Sequence, residues 1–297
     1  MGERPLILTG ETDMTEPIMK RAKGDGVKIR LARWKGKREN ILCIHGLTAN
    51  SRCWDRIVSE LVPEFRVLAI DLRGRGLSDK PLTGYSIEQH VRDIHCLLED
   101  QKLERVTLMG HSLGAYISLA FAARHPDRVK KMILMDAGGH LSQSRWDKVN
   151  VAIKPSVDRL GQIFTSYEDF TALLKQAPFL QPWTRFLDTY FHYEIEDVNG
   201  GVRSRTPVDG IREEISNILT FDAARLYPLI SCPVLILRAT HGILSRDDMV
   251  LTEDAAERMV REIADARRVD VTNSNHYSIL FEANETRDRA ILNFLEG

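Results

Sequence analysis

The chain has 297 residues, 43% of them hydrophobic and 28% charged, with 41 Lys and Arg against 42 Asp and Glu for a formal net charge of −1. That length supports one large core, or a core carrying an inserted cap. So even a charge balance, without any basic run, excludes the electrostatic footprint of a nucleic-acid or anionic-membrane binder. No apolar run approaches the roughly 20 residues of a membrane span.

Residues 1–15 carry no periodicity and are expected to form a partly ordered arm. They lack the apolar stretch of a signal peptide, so a cytoplasmic protein is expected. Strands are predicted over 16–21 and 27–34, around the turn signal Lys23-Gly-Asp-Gly26, followed by a buried strand over 40–44 that runs into His45-Gly46. An amphipathic helix over 51–62 and a buried strand over 65–70 come next, then the glycine-punctuated loop 71–79. Residues 86–101 read as a helix with Ser86 as N-cap and Gln89 at the capping-box spacing. Further apolar strands are predicted at 105–109, 129–135, 233–238 and 267–271, with helices over 112–124, 252–263 and 285–295. Strands alternating with helices call for an α/β architecture, a mostly parallel sheet covered by helices on both faces, with function at the strands' C-terminal ends.

From about 140 to 226 the pattern changes to helical segments rich in aromatics, which reads as an inserted helical cap on a core of 1–139 and 227–297. Trp146, Trp183 and Phe186 are expected to wall a pocket there, and Asn199-Gly-Gly201 marks a small hairpin. Cys43, Cys53, Cys96 and Cys232 are scattered without C-x-x-C spacing. They are expected to be reduced thiols, and no zinc or other metal motif is present.

The sharpest motif is Gly110-His-Ser112-Leu-Gly114, fed by an apolar strand and opening a helix. A strained strand-to-helix turn has no room for side chains two residues either side of the serine, and it thrusts the hydroxyl clear of the sheet. Ser112 is therefore the candidate nucleophile. The Asp71–Asp79 loop, with Arg73, Gly74 and Gly76, reads as a structural buttress, and a phosphate-binding reading fails for want of the P-loop Lys-Ser/Thr.

With His45-Gly46, Asp71-x-Arg-Gly-x-Gly-x-Ser78-Asp79, Gly110-x-Ser112-x-Gly114 and Asn275-His276 in this order, the chain resembles the α/β-hydrolase fold superfamily in its capped form, from about residue 16 to the C-terminus. The resemblance implies His276 as general base and backbone N–H groups of Leu47 and Leu113 as the oxyanion hole. The acid departs from the common pattern, because the usual Asp position after strand 233–238 is held by Gly242. Asp136, fixed at the end of strand 129–135, is the preferred acid; Asp247 and Asp248, in a longer loop, are the alternatives. The activity so implied is a serine hydrolase, carboxylesterase-like, cleaving an ester of a small to medium, partly apolar molecule through an acyl-enzyme. Amide or C–C cleavage on the same triad is the first alternative, and a ligand receptor or stress regulator of this fold is the non-enzymatic one. The expected partner is a small-molecule substrate, without cofactor, metal, nucleic acid or membrane.

Overall fold

The computed structural model describes residues 15–140 and 142–297, so the arm expected over 1–15 lies outside the described residues but for its last position. The chain opens with β1 (Ile18–Lys23) and β2 (Lys28–Trp34), an antiparallel hairpin in which β1 lies two residues later than the sequence suggests and β2 starts one later and ends where expected. Its turn closes where Gly24 N–H meets Val27 O at 2.8 Å and Gly26 takes φ +72°. Then follow β3 (Asn40–Ile44), α1 (Asp55–Leu61), β4 (Arg66–Ile70), α2 (Ile87–Asp100), β5 (Val106–His111), α3 (Leu113–Arg124) and β6 (Val129–Met135).

The helix predicted over 51–62 is divided. Asn50 takes the Arg52 N–H at 3.0 Å and Asp71 takes the Ser51 N–H at 2.7 Å, so 3₁₀ turn Ser51–Trp54 precedes α1. Ser86 does cap α2, accepting the Gln89 N–H at 3.2 Å.

Between β6 and the next sheet strand the chain makes α4 (Gln143–Asp158), α5 (Tyr167–Ala172), α6 (Arg185–Glu194), the hairpin β7 (Ile195–Val198) and β8 (Gly201–Ser204), and α7 (Val208–Ile218). It returns through β9 (Val234–Ala239), α8 (Glu253–Glu262), β10 (Ala266–Val271), the four-residue α9 (Ser278–Phe281) and α10 (Glu285–Glu296).

The main sheet runs β1-β2-β4-β3-β5-β6-β9-β10, with β2 antiparallel to both of its neighbours, β1 and β4. From β4 through β10 every pairing is parallel. Its strands are apolar on both faces because both are covered. Leu42, Leu68, Leu108 and Leu134 enter one core with α2 and α3, while Ile41, Val67, Met109 and Ile133 enter the other with α1, α9 and α10. Each such side chain, fully buried, contributes about 1.5–3 kcal/mol. The architecture is thus the doubly covered, mostly parallel α/β sheet that the alternation predicts. No helix among the described residues is long and apolar enough to cross a membrane.

Candidate active site

The C-terminal ends of β5, β6 and β10 deliver three side chains to one place. Ser112 stands between β5 and α3 at φ +55°, ψ −122°, in the left-handed half of backbone space that non-glycine residues occupy only at a cost of about 1–3 kcal/mol. Close packing makes the turn possible. A Cβ on Gly114 would lie 1.9 Å from the Ile44 carbonyl oxygen, and one on Gly110 would lie 2.3 Å from that of Gly114.

Asp136, just past β6 and also at positive φ (+49°), is buried. Its Oδ1 accepts the Ala239 N–H of β9 at 3.0 Å, and its Oδ2 lies 2.8 Å from His276 Nδ1. His276 follows β10, and its main chain is pinned as firmly as its ring. His111 Nε2 donates to the His276 carbonyl at 2.9 Å, and Asn275 Oδ1 takes the N–H groups of Tyr277 and Ser278, both at 2.8 Å, to start α9. Burial pushes the His276 imidazole down from the usual 6.5 to about 3. The Asp136 carboxyl is pushed up by burial, against the Ala239 N–H and the charge of Arg238.

The other candidate carboxylates are occupied elsewhere. Asp248 is buried under its own loop, accepting the N–H groups of Ile243 (2.6 Å), Leu244 (2.9 Å) and Ser245 (3.0 Å). Gly242 is the residue that fits beneath it, since a Cβ there would fall 2.2 Å from Asp248 Oδ1. Asp247 is exposed, and its main-chain carbonyl accepts from Arg145 at 2.7 Å.

Leu113 opens α3, where the first-turn N–H groups have no helical acceptor. The Gly46–Leu47 peptide passes over Ser112, a Cβ on Gly46 falling 3.0 Å from Ser112 Cβ. The carbonyl of that peptide is held by His45 Nδ1–H at 2.8 Å and Ala49 N–H at 3.3 Å, which directs the Leu47 N–H the opposite way across the trans peptide. His45 can do this because it is neutral: burial lowers it to about 3, and its Nε2 accepts the Leu72 N–H at 3.0 Å. Arg75, fully buried, holds the Leu47 carbonyl through Nε at 3.0 Å while its Nη2 pairs with Glu214 of α7 at 2.8 Å. His90 Nε2 shares the same Glu214 oxygen at 2.8 Å. In the 71–79 loop Asp71 binds the Ser51 and Leu77 N–H groups and the Tyr193 hydroxyl, and Arg73 pairs with Asp93 at 2.7 and 2.8 Å, the arrangement of a buttress.

Ser112, His276 and Leu47 all line one cleft. Its far wall comes from the inserted segment, but not through the aromatics named from sequence. Among the described residues Ile153, Ser156, Val157 and Arg159 line it, whereas Trp146, Trp183 and Phe186 do not. Trp146 lies on the face of α4 that carries Ile153 but two turns, about 10 Å, away; Phe186 is one turn before Tyr190, which does reach the cleft. Sequence reasoning also passed over Arg75, Glu214, Arg159 and Tyr277. The only local signal was the three-residue spacing of Ser156 and Arg159, which puts both on one helix face. Among the described residues no group of three or more His, Cys, Asp or Glu side chains could hold a metal ion.

Comparison with known proteins adds a family. A model described as the alpha/beta hydrolase fold matches residues 39–283. Three uncharacterized proteins of Mycobacterium bovis and Mycobacterium tuberculosis are 37% identical over 139 residues, 47% of this chain, and the chain spans only 40% of their length. The 2-(acetamidomethylene)succinate hydrolase of Mesorhizobium japonicum is 28% identical over 266 residues, covering 89% of this chain and 91% of that protein. A crystal structure of E-2-(acetamidomethylene)succinate hydrolase superposes with a TM-score of 0.84 at 26% identity, over 95% of this chain and all of that one.

Proposed function

The chain belongs to the α/β-hydrolase fold family, and from that premise we propose that it is a serine hydrolase cleaving a carboxylic ester of a small to medium, partly apolar molecule. The observation that carries this reading is the shared cleft: Ser112 on its strained turn and His276, hydrogen-bonded to Asp136, open on the same space. In this mechanism His276 Nδ1–H donates a hydrogen bond to the Asp136 carboxylate, which fixes the tautomer with Nε2 unprotonated and ready to take the Ser112 proton as Oγ attacks the ester carbonyl. The N–H groups of Leu47 and Leu113 receive the oxyanion. His276 returns its proton to the departing alcohol, and a water deprotonated by the same ring then releases the acid from the acyl-enzyme.

A second reading, amide cleavage on the same groups, is favoured by the near full-length similarity to 2-(acetamidomethylene)succinate hydrolase. It differs only in the leaving group, which must receive its proton before it departs. A fluorophosphonate, followed by peptide mapping of the labelled site, tests the nucleophile, and a panel of matched p-nitrophenyl esters and anilides tests the bond. The expected result is one adduct, on Ser112, with esters cleaved faster. Labelling of another residue, or none together with no turnover, would overturn the reading.

A further inference from the structure

Besides the acid–base groups and Thr48, His111 and Tyr190, the polar side chains lining the cleft among the described residues are Ser156, Arg159 and Tyr277, a patch mostly on the inserted segment. Ser156 on α4 and Tyr277, next to His276, put their hydroxyls 3.1 Å apart. Two hydroxyls carry two protons and their mutual bond uses one, so an O–H donor and several lone pairs remain free for a ligand. Arg159, one turn further along, is the one formally charged side chain on the cleft wall among the described residues. It is already balanced: its Nη2 lies 2.7 Å from both carboxylate oxygens of buried Glu194, which also accepts the Ser204 hydroxyl at 2.8 Å. Nη1 donates to the Ser156 carbonyl, and the guanidinium carbon stands 5.8 Å from the centres of both the Phe170 and Phe191 rings. Nε is buried without an acceptor. Around it stand the apolar Ile153, Val157, Leu174, Leu180, Phe191 and Phe281 and the phenol ring of Tyr190.

Charge decides what this patch accepts. A ligand carboxylate would be a second anion beside a cation that Glu194 already neutralises, between largely apolar walls. A neutral carbonyl or hydroxyl takes the free O–H and adds no charge. We propose that Ser156 and Tyr277, backed by the Arg159–Glu194 pair, form a specificity subsite for a neutral oxygen substituent on the substrate's non-reacting chain, a proposal that rests on the serine-hydrolase reading. The substrate class is then an oxo- or hydroxy-acyl ester, in contrast with the dicarboxylate named for the Mesorhizobium relative.

The test compares p-nitrophenyl heptanoate, the same ester with an oxo group at carbon 4, 5 or 6, and the hemiester of pimelic acid, using the full chain. At least one oxo-ester should exceed heptanoate in kcat/KM by roughly five- to tenfold, with the anionic hemiester below both. In Tyr277→Phe, Ser156→Ala and the double variant the oxo-to-alkyl ratio should fall towards one, whatever the absolute rate. Calorimetric Kd values for the matching ethyl esters on Ser112→Ala should show the same ranking without turnover. No oxo preference in either measurement, a preferred hemiester, or a ratio untouched by the double variant would each overturn the subsite. Absent turnover with the ranking intact in Kd would remove the hydrolase reading and leave the subsite standing.

Discussion

Ser112, Asp136 and His276 are placed by backbone; Ser156, Arg159 and Leu180 on the opposite wall are placed by packing. The first group stands at the ends of parallel strands whose register is locked by ladder hydrogen bonds, and two of its members occupy positive φ because their neighbours leave no other course. The second group sits in the inserted segment, which is tied to the core by side-chain packing and a few polar bonds, among them the Arg75–Glu214 ion pair and the Gly84 and Tyr85 N–H groups donating to Glu213 Oε1 at 2.9 and 3.0 Å. The lesson is a division of tolerance. Groups that must meet within tenths of an ångström sit on the rigid element, and groups that only need complementary shape and polarity sit on the adaptable one.

The strongest way to break this contrast is at Ser112, the proposed nucleophile. Ser112→Ala is expected to lower kcat on esters by about five to six orders of magnitude while Tm stays within a few degrees, since the smaller side chain fits the same turn. Stopped assays and thermal melts on one preparation would check both halves, and retained turnover would remove Ser112 from the mechanism. Next comes the acid: Asp136→Asn should cost roughly ten-thousand-fold in kcat with KM little changed, whereas exposed Asp247→Asn should match wild type.

Asp248→Ala sharpens the comparison from the stability side. Three N–H groups lose their acceptor, so unfolding free energy measured in urea should fall by about 1–3 kcal/mol per the cost of stranded buried donors, with kcat falling far less than in Asp136→Asn. The smallest effect is on the pH profile. Because burial lowers His276 to about 3, its neutral, proton-accepting form persists well below the ordinary 6.5. The acid limb of kcat/KM on a neutral ester should therefore lie below pH 6.5, and a limb centred at 6.5 or higher would contradict a buried, neutral ring. Stability at low pH follows another group. Burial would raise Glu214, but His90 and Arg75 hold it down at about 2, so its contribution is complete above its usual 4.5 and is lost as the pH falls through 2.

How much of this was legible in the sequence depends on how local its cause is. The parallel sheet follows from apolar runs of strand length between helices, and Gly110-x-Ser112-x-Gly114 encodes its own steric requirement within five residues. Asp136 and Asn275-His276 were readable as positions because strand ends are few. The 3₁₀ turn before α1 was not, since a distant acceptor, Asp71, takes the Ser51 N–H, and β1 begins two residues later than its apolar pattern suggests because its register is set by pairing with β2. The cleft's second wall was the least legible. Arg159 meets Glu194 across 35 residues, and Arg75 meets Glu214 across 139, separations over which no periodicity carries information. Aromatic content pointed to the right segment and the wrong residues, because Trp146 and Phe186 lie on cleft-facing stripes but one or two turns away along them.

The insertion point has an evolutionary consequence. The chain leaves the sheet after β6 and rejoins it at β9, its immediate neighbour, with Met132 opposite Val234 and Met135 opposite Leu237. Residues 137–233, past Asp136, are thus a detour between adjacent strands, and the entropy of closing a detour grows only with the logarithm of its length, about 0.6 kcal/mol per doubling. Such a segment can be lengthened, trimmed or exchanged at little thermodynamic cost to the sheet, so new substrates can be tried without disturbing the strand ends. The constraint on any replacement is small and specific: it must still present an acid to Arg75, or the loop that carries Leu47 loses its anchor.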